Sequence, residues 1–368
     1  MTRVALVHPF SWPAVRRGGE RYLHDLAWYL TTQGASVDVV VGGRRFGIDP
    51  HDGARMVRLR HPRRLDVRGL NRLDTFGGPA LGWLTRHRYD VVHALTPTAA
   101  LAAVATGQRT VYTALGHPTP DTIGRRKYDA AMFRATVRRA AAPLALSDSA
   151  ADAIETITGV RPRVVPPGLR TDRFPLRDVA RTGPPYVLFP AFAEDRRKGL
   201  DVLLAAFAAV LDHRPDARLQ LGGGGDAQWA FDTLDPGSKE RVRAATDLLG
   251  AGELDDVAGY YAAATATVLP SINEAFGLVL VESLASGTPV VGVASGGPTE
   301  IIDDERIGRL ASPRDPASLA AAILEVIALA ADPATAARCA RHARRWDWAE
   351  HIGPLHLDVY RHAARSWR

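Results

Sequence analysis

The 368-residue chain has a single cysteine, Cys339, and only three lysines among its 46 basic residues: Lys127, Lys198 and Lys239. One cysteine excludes a disulfide framework and a zinc site built on thiolates, and it suits a reducing compartment. No apolar run reaches the 18 or so residues that a membrane span requires. The apolar part of Met1-Thr2-Arg3-Val4-Ala5-Leu6-Val7-His8-Pro9 is too short for a signal peptide and is closed by His8-Pro9. It reads as a first strand, and a cytoplasmic location is expected. Neither half carries G-x-G-x-x-G after its first strand, which argues against a nicotinamide dehydrogenase. A G-x-x-x-x-G-K-[ST] loop and a G-x-S-x-G elbow are also missing, against a P-loop NTPase and an α/β-hydrolase.

What is present is a normal globular composition, 46% hydrophobic and 23% charged, in a length suited to two domains. The net charge of +6 conceals an asymmetry. Residues 1–180 hold 27 Lys and Arg against 15 Asp and Glu, whereas residues 181–368 hold 19 against 25. The basic residues are so biased to Arg that Arg clusters say little, while each Lys says more.

Short apolar strands alternate with amphipathic helices, the pattern of a doubly wound α/β layer. In the first half, strands are expected at Val4–Val7, Ser36–Val41, Met56–Leu59, Val91–Ala94, Val111–Ala114, Leu144–Ser147 and Val164–Val165. A Gly18-Gly19 turn precedes a helix from about Glu20 to Gln33, with Tyr22, Leu23, Leu26 and Leu30 as its stripe. Pro166-Pro167-Gly168, Pro175 and Gly183-Pro184-Pro185 make a connector. The rhythm then restarts with a strand at Tyr186–Pro190 and runs to a helical segment over 346–366. The expected division is a first domain of residues 1–170 completed by 346–368, a linker of 171–185, and a second domain of 186–345. In such an architecture the default site is the cleft between the domains, at the carboxyl ends of the strands.

The most informative stretch runs from Leu269 through Pro270-Ser271-Ile272-Asn273-Glu274-Ala275-Phe276-Gly277-Leu278 to Glu282. A strand ends in a polar loop and a helix starts at the glycine. The N–H groups of Phe276, Gly277 and Leu278 would then be unpaired at a positive helix end, a site for a phosphate. Glu282, a turn into the helix, can accept two hydrogen bonds from a vicinal diol such as a ribose, and Glu274 can reach another part of the same ligand. Taken singly, Glu274 would be a surface loop residue and Glu282 an exposed helix residue. The apolar run around Glu282 speaks against exposure.

This stretch resembles the E-x7-E motif of family-4 glycosyltransferases, retaining enzymes of the GT-B fold: two Rossmann-like doubly wound α/β domains facing across a cleft. Four further segments match in order: Gly18-Gly19-Glu20-Arg21, Pro166-Pro167-Gly168-Leu169, Lys198-Gly199 before a helix, and Ser286-Gly287-Thr288-Pro289-Val290-Val291. The resemblance implies that Glu282 binds the ribose of a nucleoside-diphosphate sugar and that Glu274 contacts its sugar. Phe276, Gly277 and Leu278 would offer main-chain donors, Lys198 would neutralise the diphosphate, and Gly18 and Gly19 would line the donor. No metal and no other cofactor is expected. The family often has an Arg five residues before the Lys; here that residue is Ala193, so Arg173 is preferred as the second cation, with Arg197 as the alternative. A family His is replaced by Leu115, and His117 becomes a candidate at the acceptor. His93 reads as a core histidine.

The expected activity is transfer of the sugar to a sugar, lipid-linked or small-molecule acceptor by a front-face mechanism, in which the leaving phosphate takes the acceptor proton. The basic first half suggests peripheral contact with an anionic membrane, through Arg55, Arg58, Arg60, Arg63, Arg64, Arg68 and Arg72 and through Arg125, Arg126 and Lys127. An epimerase or a phosphorylase of the same fold is the alternative. A nucleic-acid binder is disfavoured, since no basic motif interleaved with aromatics is found.

Overall fold

The computed structural model describes residues 2–61, 72–123, 129–176, 183–250 and 254–365. They divide into two compact units: Met1–Gly168 with Asp347–Arg368, and Leu169–Trp346.

The first unit is built on an eight-stranded sheet of β1 (Arg3–Val7), β2 (Ser36–Gly43), β3 (Gly47–His51), β4 (Ala54–Arg60), β5 (Val91–Ala94), β6 (Thr110–Ala114), β7 (Ala142–Ala145) and β8 (Arg163–Val164). Their spatial order is β3-β4-β2-β1-β5-β6-β7-β8. All pairings are parallel except β3 with β4. Parallel strands are covered on both faces, so they read as continuous apolar runs; Val4, Ala5, Leu6 and Val7 are all fully buried. The edge strand β3, Gly-Ile-Asp-Pro-His, escaped the sequence reading because a proline and alternating polar residues suit an edge rather than a centre.

The C-terminal segment joins this unit through a buried polar network. His93 on β5 has Nδ1 2.7 Å from the Tyr360 hydroxyl and Nε2 2.7 Å from Thr113 Oγ1. His356 Nε2 lies 2.7 Å from the Tyr22 hydroxyl. Burial drives the His93 imidazole well below its ordinary value, and His356 to about 4. His93 is thus a core histidine held neutral.

The second unit has a six-stranded, wholly parallel sheet: β9 (Tyr186–Phe189), β10 (Arg218–Leu221), β11 (Thr246–Leu248), β12 (Ala266–Val268), β13 (Val290–Val293) and β14 (Gly308–Ala311). The order β11-β10-β9-β12-β13-β14 reverses direction between β9 and β12. In open α/β sheets that reversal opens a crevice at the carboxyl ends of the two strands, where ligands bind.

Several boundaries differ from expectation. The first helix spans Gly18–Thr32, so Gly18 and Gly19 form its first turn rather than a turn before it. Strand β7 stops at Ala145 because Ser147 is spent on a cap: its Oγ accepts from Ala150 N at 3.1 Å. The last segment is not one helix. A 3₁₀ turn at Arg344–Trp346 and a π turn at Trp348–Ile352 precede the α-helix Gly353–Arg365, and Asp347 breaks the run by accepting from the amides of Ala349 and Glu350. Within the expected linker, Thr171–Arg173 is a 3₁₀ turn of the second unit, and the buried Phe174 ring lies 6.3 Å from Tyr261.

Candidate active site

The loop after β9 is shaped by Asp195. Its carboxylate accepts from Arg197 N at 3.2 Å and its carbonyl accepts from Lys198 N at 2.8 Å, which coils Arg196–Lys198 into a 3₁₀ turn. Gly199 follows with φ of 72°, and a Cβ there would lie 2.6 Å from the Pro270 carbonyl oxygen. Only glycine permits both the left-handed backbone and this approach. The Lys198 loop is thereby pressed against the loop that follows β12.

In that second loop Asn273 has a φ of 53° and its N–H donates to Ser295 Oγ at 3.1 Å. Glu274 pairs with Gly296 in an isolated parallel bridge, and Gly297 N donates to Glu274 O at 2.8 Å. A side chain at Gly296 would come within 2.4 Å of the Glu274 carbonyl oxygen. Fixed this way, Glu274 meets the lysine: Lys198 Nζ donates to Glu274 Oε2 at 2.6 Å, with the two side chains 25% and 18% exposed. The pair is half-buried yet open to a ligand. Two residues 76 positions apart thus meet at the sheet's reversal point.

The helix Leu278–Ala285 begins immediately after Gly277. The amides of Phe276, Gly277 and Leu278 donate to no acceptor among the described residues, as a helix N-terminus leaves them. Phe276 is buried, its ring 6.0 Å from Trp346. Glu282 is also buried, and the Tyr261 hydroxyl donates to its Oε2 at 2.6 Å. A buried carboxylate needs such a donor. Tyr261 was missed in the sequence, since it lies 21 residues before Glu282 on the helix Leu254–Ala263. The one available signal was a tyrosine on the inward face of a helix, whose hydroxyl must find a partner when buried.

The two arginines beside Lys198 turn elsewhere. Arg196 lies over the Trp229 ring at 4.8 Å. Arg197 binds Asp195 through Nε at 3.0 Å and Nη2 at 2.6 Å. Burial pushes the Asp195 carboxyl up, but the Arg197 guanidinium, helped by the Lys198 charge, brings it net below the usual carboxylate value. Ala193, where an arginine was sought, is buried, and its N–H donates to the Gly224 carbonyl at 2.9 Å. Arg173 ends its 3₁₀ turn one residue before Phe174, whose ring neighbours the tyrosine that holds Glu282.

Gly18, Gly19 and His117 belong to the first unit. Gly19 packs against Leu115, and His117 Nε2 lies 3.1 Å from Ser149 Oγ. Of the arginines expected to face an anionic surface, Arg55 forks onto Asp38 at 2.7 and 2.6 Å and Arg58 pairs with Asp49. Arg63, Arg64, Arg68, Arg125, Arg126, Lys127 and the Arg72 side chain lie outside the described residues.

Residues 184–328 match the family model for glycosyl transferases group 1, and residues 16–173 match that for glycosyltransferase family 4. A D-inositol 3-phosphate glycosyltransferase of Saccharomonospora viridis is 32% identical over 312 residues, 78% of this chain and 68% of the relative. The corresponding protein of Streptomyces bingchenggensis is 32% identical over 78% of this chain, and the match spans 65% of its length, just under two thirds. A phosphatidyl-myo-inositol mannosyltransferase of Propionibacterium freudenreichii is 28% identical over 99% of this chain and 96% of its own. Among solved structures, a sucrose-phosphate synthase from Thermosynechococcus elongatus superposes with a TM-score of 0.82 at 23% identity, covering 98% of both chains, a likeness of fold. By its two matched family models, its curated relatives and its paired parallel sheets, the chain belongs to the family-4 glycosyltransferases of the GT-B fold.

Proposed function

We propose that the protein is a retaining glycosyltransferase that moves a sugar from a nucleoside diphosphate to an acceptor hydroxyl without a metal ion on the diphosphate. The observation that carries this reading is the Lys198–Glu274 pair at 2.6 Å, set where the second sheet reverses and beside the unpaired amides of 276–278. The diphosphate would take Lys198 as its counter-charge, displacing the Glu274 carboxylate toward the sugar. Glu282, steadied by Tyr261, would hold the ribose diol. As the glycosidic bond breaks, negative charge gathers on the β-phosphate, where a fixed cation and oriented N–H groups stabilise it. The departing phosphate oxygen then accepts the acceptor proton while the new bond forms on the same face.

The family resemblance makes Arg173 the preferred second cation, with Arg197, which forks onto Asp195, as the alternative. The relatives' names point to a phosphorylated polyol of the inositol type as acceptor, free or lipid-linked. The excess of basic over acidic residues in the first half favours an anionic acceptor of that kind. The test is Lys198→Ala. Turnover should fall by roughly a hundredfold or more, the usual consequence of removing one donor to developing charge, with the melting temperature almost unchanged. Turnover near the wild-type rate would overturn the phosphate assignment.

A further inference from the structure

A second constellation lies on the first unit, among residues the transfer reaction does not use. The helix Gly18–Thr32 presents His24, Trp28 and Thr31 at i, i+4 and i+7, a single stripe. Facing that stripe is the hairpin of β3 and β4. Its two-residue turn, Asp52-Gly53, has φ of 47° and 79°, the left-handed pair that a tight hairpin needs. A Cβ built at Gly53 would lie 3.3 Å from Thr31 Oγ1, so the turn packs on the last turn of the helix.

This packing gathers three ligand side chains from separate places. One atom each from His24, His51 and Asp52 lies within 4.8 Å of the other two. His24 Nε2 is 3.6 Å from Asp52 Oδ2, and the two imidazole rings are 5.4 Å apart. The His24 side chain is 10% exposed and that of Asp52 61%, so the cluster is walled on the helix side and open to water on the other.

We propose that His24, His51 and Asp52 form a binding site for a late first-row divalent cation, best suited to zinc, that clasps the β3–β4 hairpin to the helix. The donor set decides the class of metal. Two imidazoles and a carboxylate suit zinc and its neighbours, with a fourth position left to water, whereas magnesium and calcium prefer oxygen alone. Ligands about 2.1 Å from a tetrahedral ion lie about 3.4 Å from one another. The 3.6 Å separation is already close to that, and the 4.8 Å limit on the remaining separations asks for a contraction of about 1.4 Å at most. A simple His24–Asp52 ion pair is the competing explanation. It would be worth little on a surface, and it gives no reason for His51 to stand beside it. The clasp also has a structural use: among the described residues β3 pairs only with β4, and a bond from its end to the helix would add a second attachment.

The experiment uses the full-length, tag-free protein stripped with a chelator and titrated with Zn²⁺ alone, then with Co²⁺ for its visible absorption. One ion per chain should bind, and Zn²⁺ should raise the melting temperature. His51→Gln and Asp52→Asn should each weaken binding by at least roughly tenfold and abolish the thermal shift. Asparagine tolerates the left-handed turn, so the second variant keeps the fold. No uptake by the wild type would overturn the proposal. Equal uptake by both variants would also overturn it, since the ion would then sit on other histidines. Loss in both variants, with the metal-free melting temperature unchanged, supports it.

Discussion

At the scale of single residues, the two glutamates are held differently, and the proposed site gives them different roles. Glu274 is fixed by its backbone and spends its carboxylate on Lys198. A diphosphate approaching Lys198 must displace that carboxylate, so Glu274→Gln should leave nucleoside diphosphate affinity intact or raise it, while kcat falls. Glu282 is fixed by its side chain, through Tyr261. Tyr261→Phe removes the hydrogen bond that holds the Glu282 carboxylate in place, so nucleoside diphosphate should bind more weakly with kcat little altered. Titration calorimetry on both variants checks the pair. A weakened Glu274→Gln beside an unaffected Tyr261→Phe would exchange the two roles. The two glutamates and Lys198 were legible in the sequence because each lies in a short motif. Tyr261 was not, because what ties it to Glu282 is packing between helices.

At the scale of elements, strands announced themselves where they are buried on both faces. Val91–Ala94 and Val290–Val293 lie where their apolar runs put them. The strands that escaped notice, β3, β11 and β14, are polar edges or carry glycine, and their pairing depends on neighbours rather than on their own residues. The helix Gly353–Arg365 is an element whose attachment has a pH signature. His356 is neutral in the folded chain at about 4 against an ordinary 6.5, through burial chiefly and the Arg163 charge. A depressed histidine means that the unfolded chain takes up the proton first. The stability from burying the neutral ring is complete above about 6.5 and is lost as the pH falls toward 4. The window corresponds to about 3 kcal/mol at most. The melting temperature should therefore decline through this range before most carboxylates titrate, and His356→Gln should make the decline shallower without removing it, because burial depresses His8 and His93 as well. An unchanged slope in that variant would place the acid sensitivity elsewhere.

At the scale of the whole molecule, the doubled α/β rhythm gave two parallel sheets, and the second has the strand order whose reversal point receives a ligand. The Lys198 and Glu274 loops meet there. The cation at that place is a lysine, and the donor reaction should accordingly survive EDTA, even where chelation lowers the melting temperature by emptying the proposed clasp on the first unit. Loss of turnover on chelation, restored by Mg²⁺ or Mn²⁺, would contradict the role given to Lys198. Titrating bare nucleoside diphosphates into the wild type and Glu282→Gln tests whether Lys198, Glu274 and Glu282 surround a nucleoside diphosphate sugar. No acceptor need be known. One nucleotide should bind the wild type, and its affinity should fall by at least tenfold in the variant, matching about 1.5–3 kcal/mol of lost charge-assisted hydrogen bonding. Equal affinities for the two proteins would contradict it.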